Sequence, residues 1–141
     1  GPRYLILGGL LFQELTLNYL QLAGREWRDR APFRLMYAQA NQEEIMKEGR
    51  RKLVFLSGVL PSQGTIGYER LRQLIVTKVN DKPINDIKDL AEAIKSPIDG
   101  IHKIEFNDHP RVIHMDAAQA EQDNTEFLPA RYRINKLQRL E

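Results

Sequence analysis

The sequence predicts an α+β domain, in which short strands and short amphipathic helices alternate along a chain of 141 residues. Three observations carry this prediction. Residues 53–60 form a strongly apolar run, residues 74–94 read as a strand, a turn and a helix, and residues Ile101–Phe106 and 111–115 alternate apolar with polar side chains. With 42% hydrophobic and 28% charged residues, the chain has enough apolar surface to bury a core.

The first fifty residues are predicted to contain a bent strand followed by two helices. Residues 4–15 are apolar but interrupted by Gly8-Gly9, a pattern typical of a bend or a close backbone approach. Helical spacing then predicts helices over residues 17–23 and 33–47. The residues expected to bound them are Thr16 and Gly24 for the first helix and Gly49 for the second. The side chains expected to face inward from the second helix are Phe33, Met36, Tyr37, Ala40 and Ile45.

The segment 74–94 carries the strongest local signals. A β-branched strand is followed by Asn80-Asp81, and both residues tolerate the left-handed backbone of a tight turn. Pro83 keeps the next step extended, and Asp86 is a suitable N-cap for a helix. The apolar stripe of this helix consists of Ile87, Leu90, Ala91 and Ile94. Taken alone, the pattern also fits a generic strand–turn–helix in any α+β domain.

The last third of the chain is predicted to contain a hairpin, a helix and a basic tail. The two alternating runs are joined by a turn, and Asp116 caps a final helix that extends to about Phe127. We therefore predict one domain over residues 3–127, with a helical insertion at 17–50, followed by a tail at 128–141.

Composition and motif content exclude several classes of function. A net charge of +2 is too small to indicate a nucleic-acid partner by itself, and the absence of cysteine excludes disulfides and thiolate chemistry. The longest apolar run, near the N-terminus, is too short to span a bilayer, and no signal peptide is visible. Gly1-Pro2 is typical of a remnant of tag removal and Leu140-Glu141 is compatible with a cloning remnant, so we expect an excised domain.

We predict no catalytic residue, no metal site and no cofactor. The serines lack the sequence context of an activated nucleophile. His102 and His114 fall across the predicted hairpin, where a metal site is conceivable, but no third ligand stands at a telling spacing. We therefore expect these histidines to lie on the surface.

Four segments resemble the C-terminal PDZ-like domain of the Deg/HtrA serine proteases. YLILGGLLFQELT (4–16) is similar to the opening strand and carboxylate-binding loop of that domain. LVFLSGVLPSQGTIGYE (53–69) is similar to its Leu-Pro and Gly-Tyr-Glu run. IVTKVNDKPINDIKDLAEAI (75–94) is similar to its V-x-x-V-N-G-x-P-V core, with Asp81 in place of the usual Gly. DAAQAEQDNTEFLPARYRI (116–134) resembles the tail that follows in plant-type and some bacterial Deg proteins.

The resemblance implies a fold and a binding mode. The fold would be a small, partly open β-barrel or sandwich with capping helices and a helical insertion. Such domains bind an extended peptide as an added strand beside one helix, with the terminal carboxylate on backbone N–H groups of a glycine-containing loop. The residues that the resemblance assigns to peptide binding are Leu7, Gly8, Gly9, Leu10, Phe12, Ile87, Leu90, Ala91 and Ile94. The edge strand would be residues 10–14, and Arg3 would add positive charge near the carboxylate.

The chain departs from the commonest pattern of such domains, most of all in the insertion at 17–50. If its two helices pack on the sheet edge, they block the groove. If they face outward, Trp27 and Phe33 become anchors for another subunit or domain.

The leading hypothesis is a non-catalytic peptide-binding module of a Deg/HtrA-type serine endopeptidase, which positions substrate or regulates protease assembly. Its partners would be polypeptide C-termini, unfolded segments, its own protease domain or other subunits, with no membrane insertion. The resemblance implies a periplasmic or organellar location. One alternative is an oligomerisation module whose groove is filled by its own insertion. Another is a nucleic-acid-binding module, for which arginines cluster around Trp27 and in the tail, but acidic residues interrupt the first cluster.

Overall fold

The computed structural model describes residues 2–26, 31–42 and 49–141, with backbone alone for residues 23–26, 31–35 and 42. Two interpretations made above therefore lie outside the described residues. They are the anchoring role of Trp27 and Phe33 and the inward orientation of Phe33 and Ile45.

Eight strands in the described residues form one antiparallel sheet. They are β1 (Tyr4–Leu7), β2 (Leu10–Thr16), β3 (Lys52–Val59), β4 (Leu74–Val79), β5 (Lys82–Pro83), β6 (Ile101–Phe106), β7 (Val112–Asp116) and β8 (Gln138–Arg139). Their order in the open sheet is β7-β6-β4-β3-β2-β1-β8, and β5 pairs with β4 beside this path. Each consecutive pair in that order is antiparallel.

The helices accompany this sheet and confirm the predicted α+β class. They are α1 (Leu17–Glu26), α2 (Ala31–Gln42), α3 (Ile87–Ala93), α4 (Ala117–Gln122) and α5 (Leu128–Tyr132). A 3-10 turn spans Gln63–Thr65, and a π-helical turn, Asp123–Phe127, joins α4 to α5. The sequence predicted one continuous helix to about Phe127. The structure has helix there, but its last part, Asp123–Phe127, is a wider π-helical turn.

Local sequence signals account for the turns and caps. Asn80 and Asp81 both have positive φ angles, 52° and 66°, as a tight hairpin turn requires. The N–H of Asp89 donates to the Asp86 side chain at 2.8 Å, which confirms the predicted N-cap of α3. Thr16 caps α1 in the same way, since its side-chain oxygen accepts from the Tyr19 N–H at 3.2 Å.

Gly24 does not end the first helix. α1 continues to Glu26, so the predicted stop at residue 24 is wrong. A glycine lowers helix propensity by about 1 kcal/mol but does not forbid helical backbone, and packing of α1 outweighs that cost.

Two separate hydrophobic clusters hold the domain together. The main core lies between the sheet and α3, and it includes Leu5, Val76, Leu90, Ile104 and Met115 among its buried residues. The second cluster joins α1 and α2 to β3 and β4 through Leu17, Leu20, Met36, Ala40, Leu53, Phe55 and Ile75, with Tyr37 partly buried against it. The helical insertion therefore has its own core on the sheet.

Candidate binding groove

The strand beside α3 is β1, and β8 of the C-terminal tail lies outside β1 at the end of the sheet. β2 is hydrogen-bonded to β1 on one side and to β3 on the other, so the predicted edge strand at residues 10–14 is wrong. β1 pairs with β2 through one of its edges, and α3 contacts β1. The bent strand predicted at residues 4–15 is two strands, β1 and β2, which pair with each other. β2 therefore lies inside the sheet, and β1 lies on its outer side.

The Gly8-Gly9 turn is the bend that the sequence predicted. Gly8 has φ 59° and Gly9 has φ 108°, and a side chain on Gly9 would collide with the Leu60 carbonyl oxygen. The Gly8 N–H already donates to Asn124 Oδ1 at 2.7 Å, and its carbonyl accepts from Ser62 Oγ at 2.5 Å. The Gly8 N–H is thus bonded within the fold, where the resemblance assigned it to a peptide carboxylate.

Most of the side chains assigned to peptide binding are buried in the main core. Those with at most a few per cent exposure are Leu7, Leu10, Phe12, Ile87 and Leu90. Ala91 and Ile94 are only partly buried and pack against the same core. The stripe that the sequence placed on one helix face is therefore divided, with Leu90 facing inward and Ala91 and Ile94 reaching the surface.

Glu14 fixes α3 against the start of the sheet. Its carboxylate accepts from the Ile87 N–H at 2.9 Å, at the first position of the helix. The same carboxylate lies 3.3 Å from Arg3 and 3.7 Å from Lys52, and its side chain is only 8% exposed. A carboxylate at a helix N-terminus is favoured by the unpaired N–H groups there, so Glu14 joins β2, α3 and the residue before β1.

The C-terminal tail occupies the free edge of β1. Gln138 and Arg139 of β8 lie opposite Leu5 and Tyr4, antiparallel to β1. The Ile6 N–H donates to the Leu137 carbonyl at 2.7 Å, and Tyr4 Oη donates to the Lys136 carbonyl at 2.9 Å. Leu140 then packs, partly buried, against the main core. Residues 137–141, named here the tail strand, therefore extend the sheet next to α3.

An ion pair connects the tail strand to α3. Lys88 Nζ lies 2.9 Å from Glu141 Oε1, and both side chains are largely exposed. The hydrogen bond and charge of Lys88 lower the pKa of Glu141, and the more distant charge of Arg3 acts in the same direction. The tail strand is thus bounded by β1 on one side and by the first turn of α3 on the other.

The hairpin histidines are not both on the surface, as the sequence analysis expected. His102 is 4% exposed and lies opposite Met115, whereas His114 is exposed and lies opposite Lys103. Neighbouring positions of a strand point to opposite faces, so the two imidazoles lie on opposite sides of the sheet. In the parts of the chain that the structure describes, no three His, Asp or Glu side chains are grouped as a metal site requires.

His102 takes part in a buried polar network behind α3. Its Nδ1 lies 3.1 Å from Asn80 Nδ2, which also donates to the Ala93 carbonyl at 2.9 Å, at the C-terminal end of the helix. Because an amide nitrogen only donates, Nδ1 is the acceptor and the ring is neutral. Burial lowers the pKa of His102, in agreement with a neutral ring.

The mixed fold of open antiparallel sheet and helices agrees with a comparison against protein families. A family model described as PDZ domain matches residues 1–138, and the chain therefore belongs to the PDZ domain family. No curated protein matches the chain. A PDZ domain is a peptide- or protein-binding module and is generally non-catalytic. None of the helices described in the structure is long and apolar enough to cross a membrane.

The sequence analysis missed four features of this groove: the role of β1 as the edge, the pairing of the tail strand, Lys88 and Glu141. The tail shows no alternation over a useful length, since only two residues of β8 are paired with β1.

Proposed function

We propose that the groove between β1 and α3 binds extended polypeptide by strand addition. The observation that carries this proposal is the tail strand itself, which is an extended segment paired antiparallel with β1 beside α3. Main-chain hydrogen bonds to β1 supply affinity, and the partly buried Ala91 and Ile94 offer apolar contact to a ligand side chain. The residues assigned from the resemblance contribute differently: Leu90 and Phe12 support the groove from inside the core.

We further propose that this module serves a Deg/HtrA-type serine endopeptidase, in which it positions substrate or regulates assembly. The support is the sequence resemblance of residues 4–16, 53–69 and 75–94 to that subfamily. Its partners would be C-termini or unfolded segments of other proteins, its own protease domain or other subunits. Affinity for a free peptide is expected to be modest, on the order of micromolar, because a short strand loses much conformational entropy for few contacts.

The alternative of an oligomerisation module is favoured by one observation. Tyr19 and Leu22 on α1 are about half exposed, 48% and 52%, and lie on the insertion that the sequence analysis considered for assembly. The buried side chains of that insertion pack on β3 and β4, so in the described residues the segment on the β1 edge is the tail strand. Sedimentation equilibrium of the chain distinguishes a monomer from an assembled module.

A peptide-library screen tests the peptide-binding proposal. Each peptide is presented with a free and with an amidated C-terminus, and binding is followed by chemical shifts of the β1 and α3 amides. We expect shifts of Tyr4, Leu5 and Ile6, together with Ala91 and Ile94, upon addition of a binding peptide. Shifts confined to other regions, or no binding at millimolar peptide, would contradict the proposal. Dependence on a free C-terminus would indicate that a terminal carboxylate is recognised.

A further inference from the structure

A short edge of β3 is left open at the point where β3 and β4 separate. The last pair between the two strands joins Leu56 to Leu74, and β3 then continues over residues 57–59. No strand of the described residues pairs with these three residues on the β4 side. Gln73, directly before β4, has a left-handed φ of 57°, which turns the chain out of line with β3. An open strand edge of this kind is able to pair with another chain.

Val59 directs main-chain groups to this open edge. The N–H of the next residue, Leu60, donates to the Gly9 carbonyl at 2.7 Å, on the side of β2. Neighbouring residues of an extended chain direct their N–H and C=O groups to opposite edges. The N–H and C=O of Val59 therefore point away from β2, where an added strand would meet them.

A cleft of about 580 Å³ lies along the open edge. Residues 57–59 line one side of it and residues 69–72 the other. Val59 and Leu71 supply apolar lining, and both pack partly buried against the main core. Gly58 adds no side chain to the cleft, and a Cβ at this position would meet no described atom within 4 Å. The cleft thus has room for a short extended segment beside β3.

The cleft carries an excess of positive charge. Arg70 and Arg72 line it with exposed side chains, and neither forms an ion pair or a hydrogen bond within the described residues. Glu69 is the one acidic residue among the described lining residues, and its carboxylate accepts from the Gly67 N–H at 3.0 Å. Two positive charges therefore stand against one negative charge, which favours an acidic ligand.

We propose that the open edge of β3 is a second peptide-binding site, separate from the groove between β1 and α3. Its ligand class is an extended segment in which acidic and aliphatic residues alternate. Main-chain pairing with Val59 holds the segment, its aliphatic side chains contact Leu71, and its acidic side chains pair with Arg70 and Arg72. A nucleic acid would match the arginines but not the strand edge, so the combination favours a peptide.

The test uses two peptides with acetylated N-termini and amidated C-termini, so that neither has a terminal carboxylate. The probe is GEVEVEG, and the matched control is GKVKVKG, which has the same alternation and the opposite charge. Backbone amide chemical shifts of the full chain report both the affinity and the place of binding.

We expect the glutamate peptide to bind with a Kd on the order of 100 μM, because the edge is short. It should shift the amides of Gly58, Val59 and Leu71, and the lysine peptide should bind about tenfold more weakly. Equal affinities of the two peptides would overturn the ligand class. Shifts confined to the β1 and α3 amides would overturn the second site and leave the proposed function standing.

A charge reversal tests the arginines at positions that are exposed. The double variant Arg70→Glu/Arg72→Glu should bind the lysine peptide more tightly than the glutamate peptide. The matched control Lys78→Glu/Lys136→Glu makes the same change of charge at two exposed positions outside the cleft, and it should keep the order of the intact chain. An unchanged order in the first variant, or a reversed order in both, would overturn the assignment.

Methylated peptides test the strand pairing independently of charge. Only every second amide of an added strand faces β3, so two glutamate peptides methylated on alternate sets of backbone nitrogens should differ, one losing binding and the other keeping it. The same result for both sets would contradict strand addition. Binding of an oligothymidylate as tightly as the glutamate peptide would overturn the assignment to a peptide.

Discussion

Residues 116–132 and residues 137–141 lie on the same sheet but are attached to it by different chemistry. The first stretch is fixed by buried polar groups: Asp123, 2% exposed, accepts from the Gly64 N–H at 3.0 Å, and Asn124 accepts from the Gly8 N–H at 2.7 Å. The second stretch is held by main-chain pairing with β1, including the hydrogen bond from the Ile6 N–H to the Leu137 carbonyl at 2.7 Å, by the partly buried Leu140 and by one exposed ion pair. Buried partners cannot be replaced by water without a large cost, whereas exposed ones can. The comparison separates a permanent part of the fold from an exchangeable one.

The largest expected effect is on the permanent stretch. Asp123→Ala leaves the Gly64 N–H and the Gln119 side chain without their acceptor, and both bonds are 3.0 Å long. Loss of a buried hydrogen-bond acceptor should lower the free energy of unfolding by about 2 kcal/mol. Urea denaturation measures this change. The exposed neighbour Glu126→Ala serves as a control, with an expected change within about 0.5 kcal/mol. An equal loss of unfolding free energy in both variants would contradict the claim that buried polar groups hold residues 116–132.

The next effect concerns pH and the network behind α3. His102 is neutral in the folded state, and burial lowers its pKa below the ordinary value of 6.5. The imidazole therefore binds a proton more readily in the unfolded chain than in the folded one. The contribution of neutral His102 to the free energy of unfolding is fully present above about pH 6.5, and it is lost as the pH drops toward the lowered pKa. The free energy of unfolding should thus decrease from pH 7 to pH 5.

His102→Gln should remove this slope, because glutamine does not titrate and its amide oxygen can accept from Asn80. The exposed His114→Gln is the matched control and should keep the slope. Persistence of the slope in His102→Gln would show that another group is responsible.

The tail strand should respond only at lower pH, since Lys88 lowers the pKa of Glu141 and its ion pair is lost as the pH falls through that lowered value.

The smallest effect concerns the ion pair of the tail strand. Lys88→Gln should leave the urea midpoint unchanged and speed hydrogen exchange of the Ile6 and Arg139 amides, because a surface pair adds little to global stability. Salt should speed the same exchange in the intact chain. Lys95→Gln, which breaks the exposed Lys95–Glu92 pair at the opposite end of α3, should not affect tail exchange. A lower urea midpoint for Lys88→Gln than for the intact chain would show that the tail strand unfolds together with the rest of the domain.

The sequence predicted those features that depend on neighbouring residues. The turn at Asn80-Asp81, the caps at Asp86 and Asp116 and the strands β4 and β6 follow from local propensity and alternation, and all are present. The resemblance also led correctly to the PDZ domain family.

The groove could not be derived in the same way because it depends on sheet order. Whether residues 4–7 or 10–14 form the edge is decided by which strand returns beside them, and that partner is more than a hundred residues away in the case of β8. Burial of Leu90 and exposure of part of Ala91 depend likewise on how α3 is rotated against the sheet. A helical stripe predicts a buried face but not which of its members reach the rim.

The Glu14 carboxylate gives the groove a fixed width. It is tied at once to the first turn of α3 and to Arg3 at the start of β1, so the helix and the edge strand cannot separate without breaking charged hydrogen bonds in a largely buried site. Because Glu14 binds both α3 and the residue before β1, the spacing of the helix and the strand is set before a ligand binds. For the proposed peptide ligand, the cost of binding would then fall on ordering the incoming chain.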